Sequence, residues 1–143
     1  MMPIASSAAT NASDEAAIRA VLSTYQDALN ASSTAAAMPL YTDDGVFMPP
    51  YSQSAIGAVE VRKAYDAVFK AITLSVKFDV AETVEMSPDW VFARTNSAGT
   101  TTDHATGSKN AEANQELFIF KGTSNGAWKI ARYSFSSTNP VAR

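Results

Sequence analysis

Glu116 offers the clearest chemistry in this chain of 143 residues. It stands in residues 114–121, NQELFIFK, where side chains alternate as in a β-strand. Alternation places four of these side chains on one face: Asn114, Glu116, Phe118 and Phe120. A carboxylate that is buried without a partner is costly, and burial raises its pKa. The sequence therefore predicts an acid–base group, or a polar anchor, among aromatic side chains.

Arg94 and Tyr25 are the side chains that we expect beside Glu116. In residues 90–100, Arg94 shares a strand face with Phe92, and we expect that face to look inward, where the guanidinium would meet Glu116 in a bidentate pair. Tyr25 lies on the buried stripe of the first helix, with its hydroxyl at a pocket edge. Two interpretations stay open: a polar floor that grips an oxygen-bearing ligand, and an ion pair that only rigidifies the sheet.

The wall of such a pocket would be mostly aromatic. The candidate lining residues are Phe47, Tyr51, Phe69, Phe92, Asn114, Phe118, Tyr133 and Phe135. The same side chains could instead form a filled core, because a small domain can do either. Asp43 and Asp44 precede Gly45 and a short strand, which favours a turn over an acidic site. His104 lies among polar residues, which predicts an exposed loop.

Composition excludes several other kinds of site. The chain has no cysteine and one histidine, so we expect no metal and no redox cofactor. Its net charge is −3 without a basic cluster, which argues against nucleic acid. No apolar run approaches the ~20 residues of a membrane span, and the N-terminus is too polar for a signal peptide. These features predict a cytoplasmic protein that does not bind membranes.

The elements that must position these residues follow from periodicity. We predict a disordered tail over 1–12, one domain over 13–137 and a second tail over 138–143. Ser13 is the predicted N-cap of the first helix, and Pro39 should kink or end the second one. The helices are predicted over 13–30, 34–41 and 59–72, and the strands over 46–48, 74–86, 90–100, 114–121 and 128–136. Residues 101–113 are either a wide loop or the frayed ends of two long strands. The order predicts an α+β fold with helices on one face of a bent sheet.

The last two strands form a hairpin through Asn125-Gly126, a strong turn signal. Alternation assigns four apolar residues to the face opposite Glu116: Leu117, Ile119, Trp128 and Ile130. Val91 and Ala93 should lie alongside them. No helix remains to cover this face, and apolar patches of several hundred Å² are rarely left exposed. We therefore predict a homodimer through the convex face of the sheet.

The pattern resembles the nuclear transport factor 2-like superfamily, specifically its small SnoaL-like and SgcJ/EcaC-type members. The matching stretches are LYTDDGVFMPP (40–50), GAVEVRKAYDAVF (57–69), FARTNSAGT (92–100) and ANQELFIFKGTSNGAWKIARYSFSSTNP (113–140). The resemblance implies a cone-shaped, sharply curved antiparallel sheet with three helices on its concave side, closing a pocket. It also implies dimers through the convex side. The same cone serves isomerases, dehydratases, cyclases, hydrolases and binding proteins, so the fold does not fix the function.

The ketosteroid-isomerase-like branch offers a test residue by residue. Resemblance to that branch puts Tyr25 at its oxyanion-hole tyrosine and Glu116 at its carboxylic-acid hydrogen-bond donor. Its general base should lie where Pro49 stands, and proline cannot transfer a proton. We therefore expect no ketosteroid isomerisation.

Two function classes follow. The first is a pocket protein that binds, or acts by acid–base chemistry on, a small, fairly apolar, oxygenated molecule. If it is an enzyme, it would be an isomerase, cyclase, dehydratase or hydrolase that works without metal. The alternative is a non-catalytic binding or assembly module with a vestigial pocket.

Overall fold

A computed structural model of the chain describes residues 11–139. In chain order the elements are α1 (Ala12–Asn30), α2 (Thr34–Ala37), a 3-10 helix (Met38–Leu40), β1 (Tyr41–Met48), β2 (Ala55–Ile56), α3 (Ala58–Ala71), β3 (Ile72–Ser87), β4 (Trp90–Asp103), β5 (Lys109–Gly122) and β6 (Trp128–Ser137).

The strands form one sheet in the order β2-β1-β6-β5-β4-β3. Strand β1 runs parallel to β6, and every other neighbouring pair is antiparallel. The helices pack on one side of the sheet, which we call the inner face, and the opposite side is the outer face. The predicted α+β fold, with three helices on a curved and mostly antiparallel sheet, is confirmed; the parallel pair was not foreseen.

The two predicted tails fall mostly on residues 1–10 and 140–143, outside the described part of the chain. Residues 138 and 139 of the C-terminal tail still contact β5. The Thr138 N–H donates to the Ala113 carbonyl at 2.9 Å, and the Asn139 amide donates to the Ala111 carbonyl at 3.1 Å. The contacts of β5 therefore continue past residue 137.

Helix α1 begins before the predicted N-cap, Ser13. Asn11 caps the helix instead, because its side-chain oxygen accepts from the Asp14 N–H at 2.9 Å. Asparagine and serine cap helices about equally well, so the sequence offered two starts close together. The buried face of α1 is the predicted apolar stripe: Ile18, Leu22, Tyr25, Ala28 and Leu29.

Two amide side chains of α1 bind the helix to the exposed edge of β3. The Asn30 amide donates to the Val76 carbonyl at 2.9 Å, and its oxygen accepts from the Val76 N–H at 2.8 Å. One turn earlier, the Gln26 oxygen accepts from the Phe78 N–H at 2.8 Å. An edge strand has unpaired backbone groups, and these bonds satisfy three of them. They fix α1 over the inner face.

Strand β1 is longer and less regular than predicted. Asp43 and Asp44 lie within it and not in a turn. Tyr41 pairs with Ile130 and Val46 with Arg132, so that 46 − 41 = 5 steps in β1 oppose 132 − 130 = 2 steps in β6. The turn chemistry of the Asp-Asp-Gly segment therefore appears as a bulge inside a strand. As predicted, α2 stops early, since Pro39 lies in the 3-10 helix that follows Ala37.

Strands β4 and β5 are two long strands joined by a short turn, which is the second of the two alternatives for residues 101–113. Strands β3 and β4 approach each other closely at Gly99, in the second half of β4. A Cβ atom at this position would lie 1.9 Å from the Ser75 carbonyl oxygen, so only glycine fits. The close approach lets the sheet curve around the inner face.

The side-chain phase predicted for β4 is wrong. Arg94 pairs with Leu117 and Thr95 with Glu116, so Arg94 and Glu116 lie on opposite faces. The residues of β4 that face inward are Val91, Ala93, Thr95 and Ser97, and all are buried. Both faces of β4 carry apolar side chains, so alternation alone did not decide between them. The crowded inner face of a curved sheet takes the smaller set, and Phe92 lies outside.

A β-bulge in β6 overturns half of the predicted outer patch. Ile119 pairs with Arg132 but Phe120 pairs with Ile130, so β6 has one extra residue between these pairs. The extra residue shifts the phase, and Trp128 and Ile130 face inward, where they are 8% and 0% exposed. Val91 and Ala93 are also buried inside. Leu117 lies on the outer face as predicted, beside Ile119.

This arrangement predicts unequal effects on stability. Ile130→Ala should lower the free energy of unfolding by about 2–5 kcal/mol, because it leaves a cavity in the core. Leu117→Ala removes a side chain that is 44% exposed and should cost less than about 1 kcal/mol. Urea unfolding of both variants measures the difference. Equal losses would place Ile130 on the outer face and contradict the bulge.

Candidate functional site

A cavity of about 150 Å³ lies between the helices and the inner face of the sheet. Its wall is almost entirely apolar and aromatic, with a few polar groups. The residues that line it are Tyr25, Leu29, Phe47, Pro49, Tyr65, Val68, Ile72, Leu74, Val76, Phe78, Ser97, Glu112, Asn114, Glu116, Tyr133 and Phe135. It is the kind of concave, mostly apolar space in which small molecules bind.

Strand β5 contributes the polar part of the wall. Glu112, Asn114 and Glu116 alternate with outward-facing residues, so all three side chains face the cavity. Successive members are about 7 Å apart along the strand, at about 3.4 Å per residue. Glu116 and Asn114 are buried, and Glu112 is half-buried. The three side chains form a polar row along one edge of an apolar space.

The Glu116 carboxylate is held by two hydroxyl groups of β4. The Thr95 hydroxyl donates to Oε1 and the Ser97 hydroxyl donates to Oε2, both at 2.6 Å. The register of β4 against β5 brings these hydroxyls to Glu116, because Thr95 lies directly opposite it. Hydroxyl donors of this kind favour the ionised carboxylate. They replace the guanidinium that the sequence had suggested.

Burial raises the pKa of Glu116 above its ordinary value, and the charge of Glu112 raises it further. The hydroxyls of Ser97 and Thr95 act in the opposite direction without cancelling the effect of burial. The carboxyl group therefore takes up a proton more readily than an exposed glutamate would. A shift of this kind, in a cavity, is typical of groups that transfer protons.

Three tyrosine hydroxyls form a hydrogen-bonded chain beside the cavity. The Tyr65 hydroxyl lies 2.6 Å from that of Tyr25 and 2.6 Å from that of Tyr41. The two bonds use two of the three hydroxyl protons and leave one, and the Tyr133 hydroxyl is a further hydrogen-bond partner of Tyr25. Tyr25 lines the cavity, and it can direct this proton at a ligand when Tyr41 and Tyr65 donate along the chain toward it.

Burial raises the pKa of all three tyrosines well above the ordinary value. They therefore stay protonated at physiological pH and act as hydrogen-bond donors, not as bases. The Tyr25 ring is held edge-on by four aromatic neighbours, Tyr65, Phe78, Phe118 and Tyr133, with ring centroids 5.6–6.2 Å away. This packing fixes the direction of its hydroxyl.

The structure brings six of the predicted site residues into the cavity wall: Tyr25, Phe47, Asn114, Glu116, Tyr133 and Phe135. Phe118 lies directly behind the wall, stacked on Tyr133 at a centroid distance of 4.0 Å. Phe69 is half-buried against Tyr65 and does not line the cavity. Both support the wall from outside it.

Three predicted residues lie elsewhere. Arg94 and Phe92 are on the outer face, for the reason of register given above, and Arg94 forms an ion pair there with Glu82. Tyr51 is 99% exposed in the loop after Pro50, where its φ is 61°, and it does not line the cavity. The predicted Arg94–Glu116 pair is therefore wrong.

Several site residues were missed. Tyr65 fell within the helix predicted over 59–72 and Tyr41 at the end of the helix predicted over 34–41, and neither was assigned to the site. Thr95 and Ser97 alternate with Arg94 in the sequence, and only the register decides which set faces Glu116. Glu112 was assigned to a segment of uncertain structure. Glu112 lies two residues before Asn114 and four before Glu116, and this spacing places all three on one face of a strand. That was the signal by which it could have been found.

His104 is exposed, as expected, but it is not free of contacts. Its Nδ1 lies 2.7 Å from the Lys70 carbonyl and its Nε2 lies 2.7 Å from the Thr73 hydroxyl. The residue closes the C-terminal end of α3. Within residues 11–139 no group of three or more histidine, aspartate or glutamate side chains could hold a metal ion. No helix in that range is long and apolar enough to cross a membrane.

The tyrosine chain predicts a stability difference between two otherwise identical changes. Tyr65→Phe removes the central hydroxyl and leaves those of Tyr25 and Tyr41 without it, which should cost about 1–3 kcal/mol. Tyr51→Phe removes an exposed hydroxyl and should change stability by less than about 0.5 kcal/mol. Urea unfolding compares the two. A loss at Tyr65 no larger than that at Tyr51 would show that the buried chain contributes nothing.

Comparison with known proteins agrees with this architecture. The sequence profile of the SnoaL-like domain matches residues 10–129. A ketosteroid isomerase-like protein from Erwinia carotovora atroseptica shares 36% identity, with a TM-score of 0.86, over 92% of this chain and 100% of its own. A conserved protein from Planctomyces limnophilus is 23% identical, with a TM-score of 0.77, over 87% and 98%.

A third structure shows the breadth of the fold. An NTF2-like superfamily protein from Salmonella enterica serovar Typhimurium is 12% identical, with a TM-score of 0.79, over 93% of this chain and 91% of its own. A search of curated proteins found no match. The profile match and the 36% identical structure decide the family: the chain belongs to the SnoaL-like domain family.

Proposed function

We propose that the cavity binds a small, fairly apolar, oxygenated molecule and that Glu116 and Tyr25 perform acid–base chemistry on it. One observation carries the proposal. A carboxyl group with a raised pKa and a buried hydroxyl with a proton to donate line the same apolar cavity. Polar groups in an apolar cavity orient ligands.

The size of the cavity limits the ligand. An apolar cavity of about 150 Å³ admits a molecule such as benzene. The space described here has the same volume, about 150 Å³. A ligand of about one ring with a short polar substituent therefore fits, and a steroid does not. Together with Pro49 at the position of the general base, this argues against ketosteroid isomerisation, and a steroid isomerase assay checks the point.

The roles of the two groups differ. The Tyr25 hydroxyl donates to a ligand oxygen and stabilises negative charge that develops there, since it is fixed in place before the ligand arrives. The Glu116 carboxyl accepts a proton from the ligand or returns one, because its raised pKa brings the two protonation states closer in free energy. Enolisation, isomerisation and dehydration need no more than these two groups.

The rival proposal is a binding module without catalysis. It is favoured by the hydroxyls of Thr95 and Ser97, which give each oxygen of Glu116 a hydrogen bond without any ligand. Under this proposal the carboxylate only links β4 and β5 through these hydrogen bonds, and the cavity is vestigial. The two proposals differ in whether removing the cavity's polar groups weakens ligand binding.

Calorimetric titration with benzyl alcohol and cyclohexanone tests the proposal. Both probes should bind saturably, because each joins one ring to one oxygen. Tyr25→Phe and Glu116→Gln should each weaken the binding of at least one probe by about 5–10-fold, the effect of one hydrogen bond. Tyr51→Phe is the matched control and should change nothing. Absence of saturable binding in the wild-type protein would refute the proposal and favour the vestigial cavity.

We also propose that the protein pairs through the outer face. Val84 pairs with Phe92 and Phe92 with Ile119, so that an apolar row crosses three strands. Leu117 lies beside this row and is 44% exposed. No described helix covers this face. A two-fold axis through the row would bury it on both subunits at once.

Sedimentation at micromolar concentration tests the pairing. The wild-type protein should sediment as a dimer. Ile119→Asp should give folded monomers, since a charge in the middle of the row is costly to bury. Gln115→Asp, on the same face beyond the row, is the control and should remain a dimer. A wild-type monomer would eliminate the proposed pairing.

A further inference from the structure

The cavity contains negative charge without any positive charge to balance it. Glu112 and Glu116 line it, and within residues 11–139 no lysine, arginine or histidine does so. The arginine that the sequence had placed there, Arg94, pairs with Glu82 on the outer face. A buried carboxylate normally has a cationic partner or enough hydrogen bonds to replace one. Here the hydroxyls of Thr95 and Ser97 serve Glu116, and Glu112 has no such set.

Burial raises the pKa of Glu112 as well, while the neighbouring Asn114 amide opposes the rise. The charge of Glu112 also raises the pKa of Glu116, so an ionised Glu112 makes the charge on Glu116 harder to maintain. A cation between them would relieve both the burial and the repulsion. The cavity is therefore electrostatically complementary to a cation and repels an anion.

Asn114 adds an independent observation. Its side chain is 8% exposed and lines the cavity between the two glutamates. The Asn114 amide group interacts with the Glu112 carboxylate, and its side-chain oxygen faces the cavity, where it can accept from a ligand. Three acceptor-bearing side chains thus follow one another along β5, and an ammonium group has three N–H donors.

We propose that the natural ligand carries a basic nitrogen, which binds as an ammonium ion among Glu112, Asn114 and Glu116 while its ring occupies the aromatic part of the cavity. This inference rests on the proposed function and names the ligand class: a small, one-ring amine that also carries an oxygen. The rings of Phe47, Tyr133 and Phe135 provide the apolar wall for its body. The Tyr25 hydroxyl remains the donor to its oxygen.

A series of three probes with the same shape tests the inference. Benzylamine, benzyl alcohol and benzoate each place one polar group on a benzene ring, and at neutral pH they are cationic, neutral and anionic. Calorimetric titration of the whole protein should show benzylamine binding about tenfold or more tightly than benzyl alcohol. Benzoate should not bind measurably, because two carboxylates repel it.

Substitutions of the two cavity glutamates test which charges cause the preference for benzylamine over benzyl alcohol. Glu112→Gln and Glu116→Gln keep the shape of each side chain and should each reduce the amine-over-alcohol preference several-fold. Glu60→Gln makes the same change in net charge at an exposed site of α3 and should preserve the preference. Thermal unfolding of each variant confirms that it is folded. Because Glu112 is only half-buried, its variant remains informative even if Glu116→Gln is unstable.

The outcomes separate the two proposals. Benzyl alcohol binding as tightly as benzylamine would overturn the amine inference and leave the proposed function standing. An amine preference that survives in both cavity variants would also overturn it, since the charge responsible would lie elsewhere. If neither probe binds, the proposed function fails and the inference fails with it.

Discussion

The register of β4 against β5 is the constraint on which the rest of the site depends. It places Thr95 opposite Glu116, so that two hydroxyls hold a carboxylate that would otherwise be too costly to bury. The same register turns Arg94 outward. A shift of one residue would exchange the two faces of β4 and bring a guanidinium into the cavity in place of the hydroxyls. The chemistry of the cavity therefore follows from how two strands pair.

The cavity persists because its surroundings are rigid. On the sheet side, Phe118 and Tyr133 stack with their planes within 5° of each other, and Phe47 continues the stack. On the helix side, Asn30 binds both backbone groups of Val76. Close-packed rings and fixed helix ends prevent the wall from collapsing into the space. The polar groups that face it are thus in position before any ligand arrives, which is a requirement for both tight binding and catalysis.

Much of the fold follows from the sequence because the relevant signals are local. The helix over 59–72 and the Asn125-Gly126 turn each depend on residues that are close in the sequence, and both were predicted closely. The bulge in β6 was not foreseen, since an extra residue leaves no local signal in a strand that is apolar on both faces. Alternation then assigned Ile130 to the wrong side. When a bulge is not foreseen, the residues on its far side are assigned to the wrong face of the sheet.

The site was predictable in part for the same reason. Glu116 and Tyr25 were recognised because a carboxylate among aromatic residues, and a tyrosine on a buried stripe, are unusual in themselves. Their partners were missed because they come from other elements: Tyr65 is 40 residues from Tyr25 in the sequence. Contacts of that kind depend on the packing of a helix across a curved sheet. Such contacts cannot be predicted from the spacing of residues within one segment.

The pKa of Glu116 is the measurement that tests this account most directly. Titration of its side-chain carboxyl carbon by NMR, assigned with Glu116→Gln, should give a pKa above the ordinary glutamate value of 4.5, because burial outweighs the two hydroxyl donors. Ser97→Ala removes one donor and should raise the pKa further. The raised pKa also means that Glu116 stabilises the fold below pH 4.5 and that this contribution is lost as the pH rises through the folded-state pKa. A pKa at or below 4.5, unchanged by Ser97→Ala, would mean that Glu116 is solvated and would contradict the buried carboxylate on which the site depends.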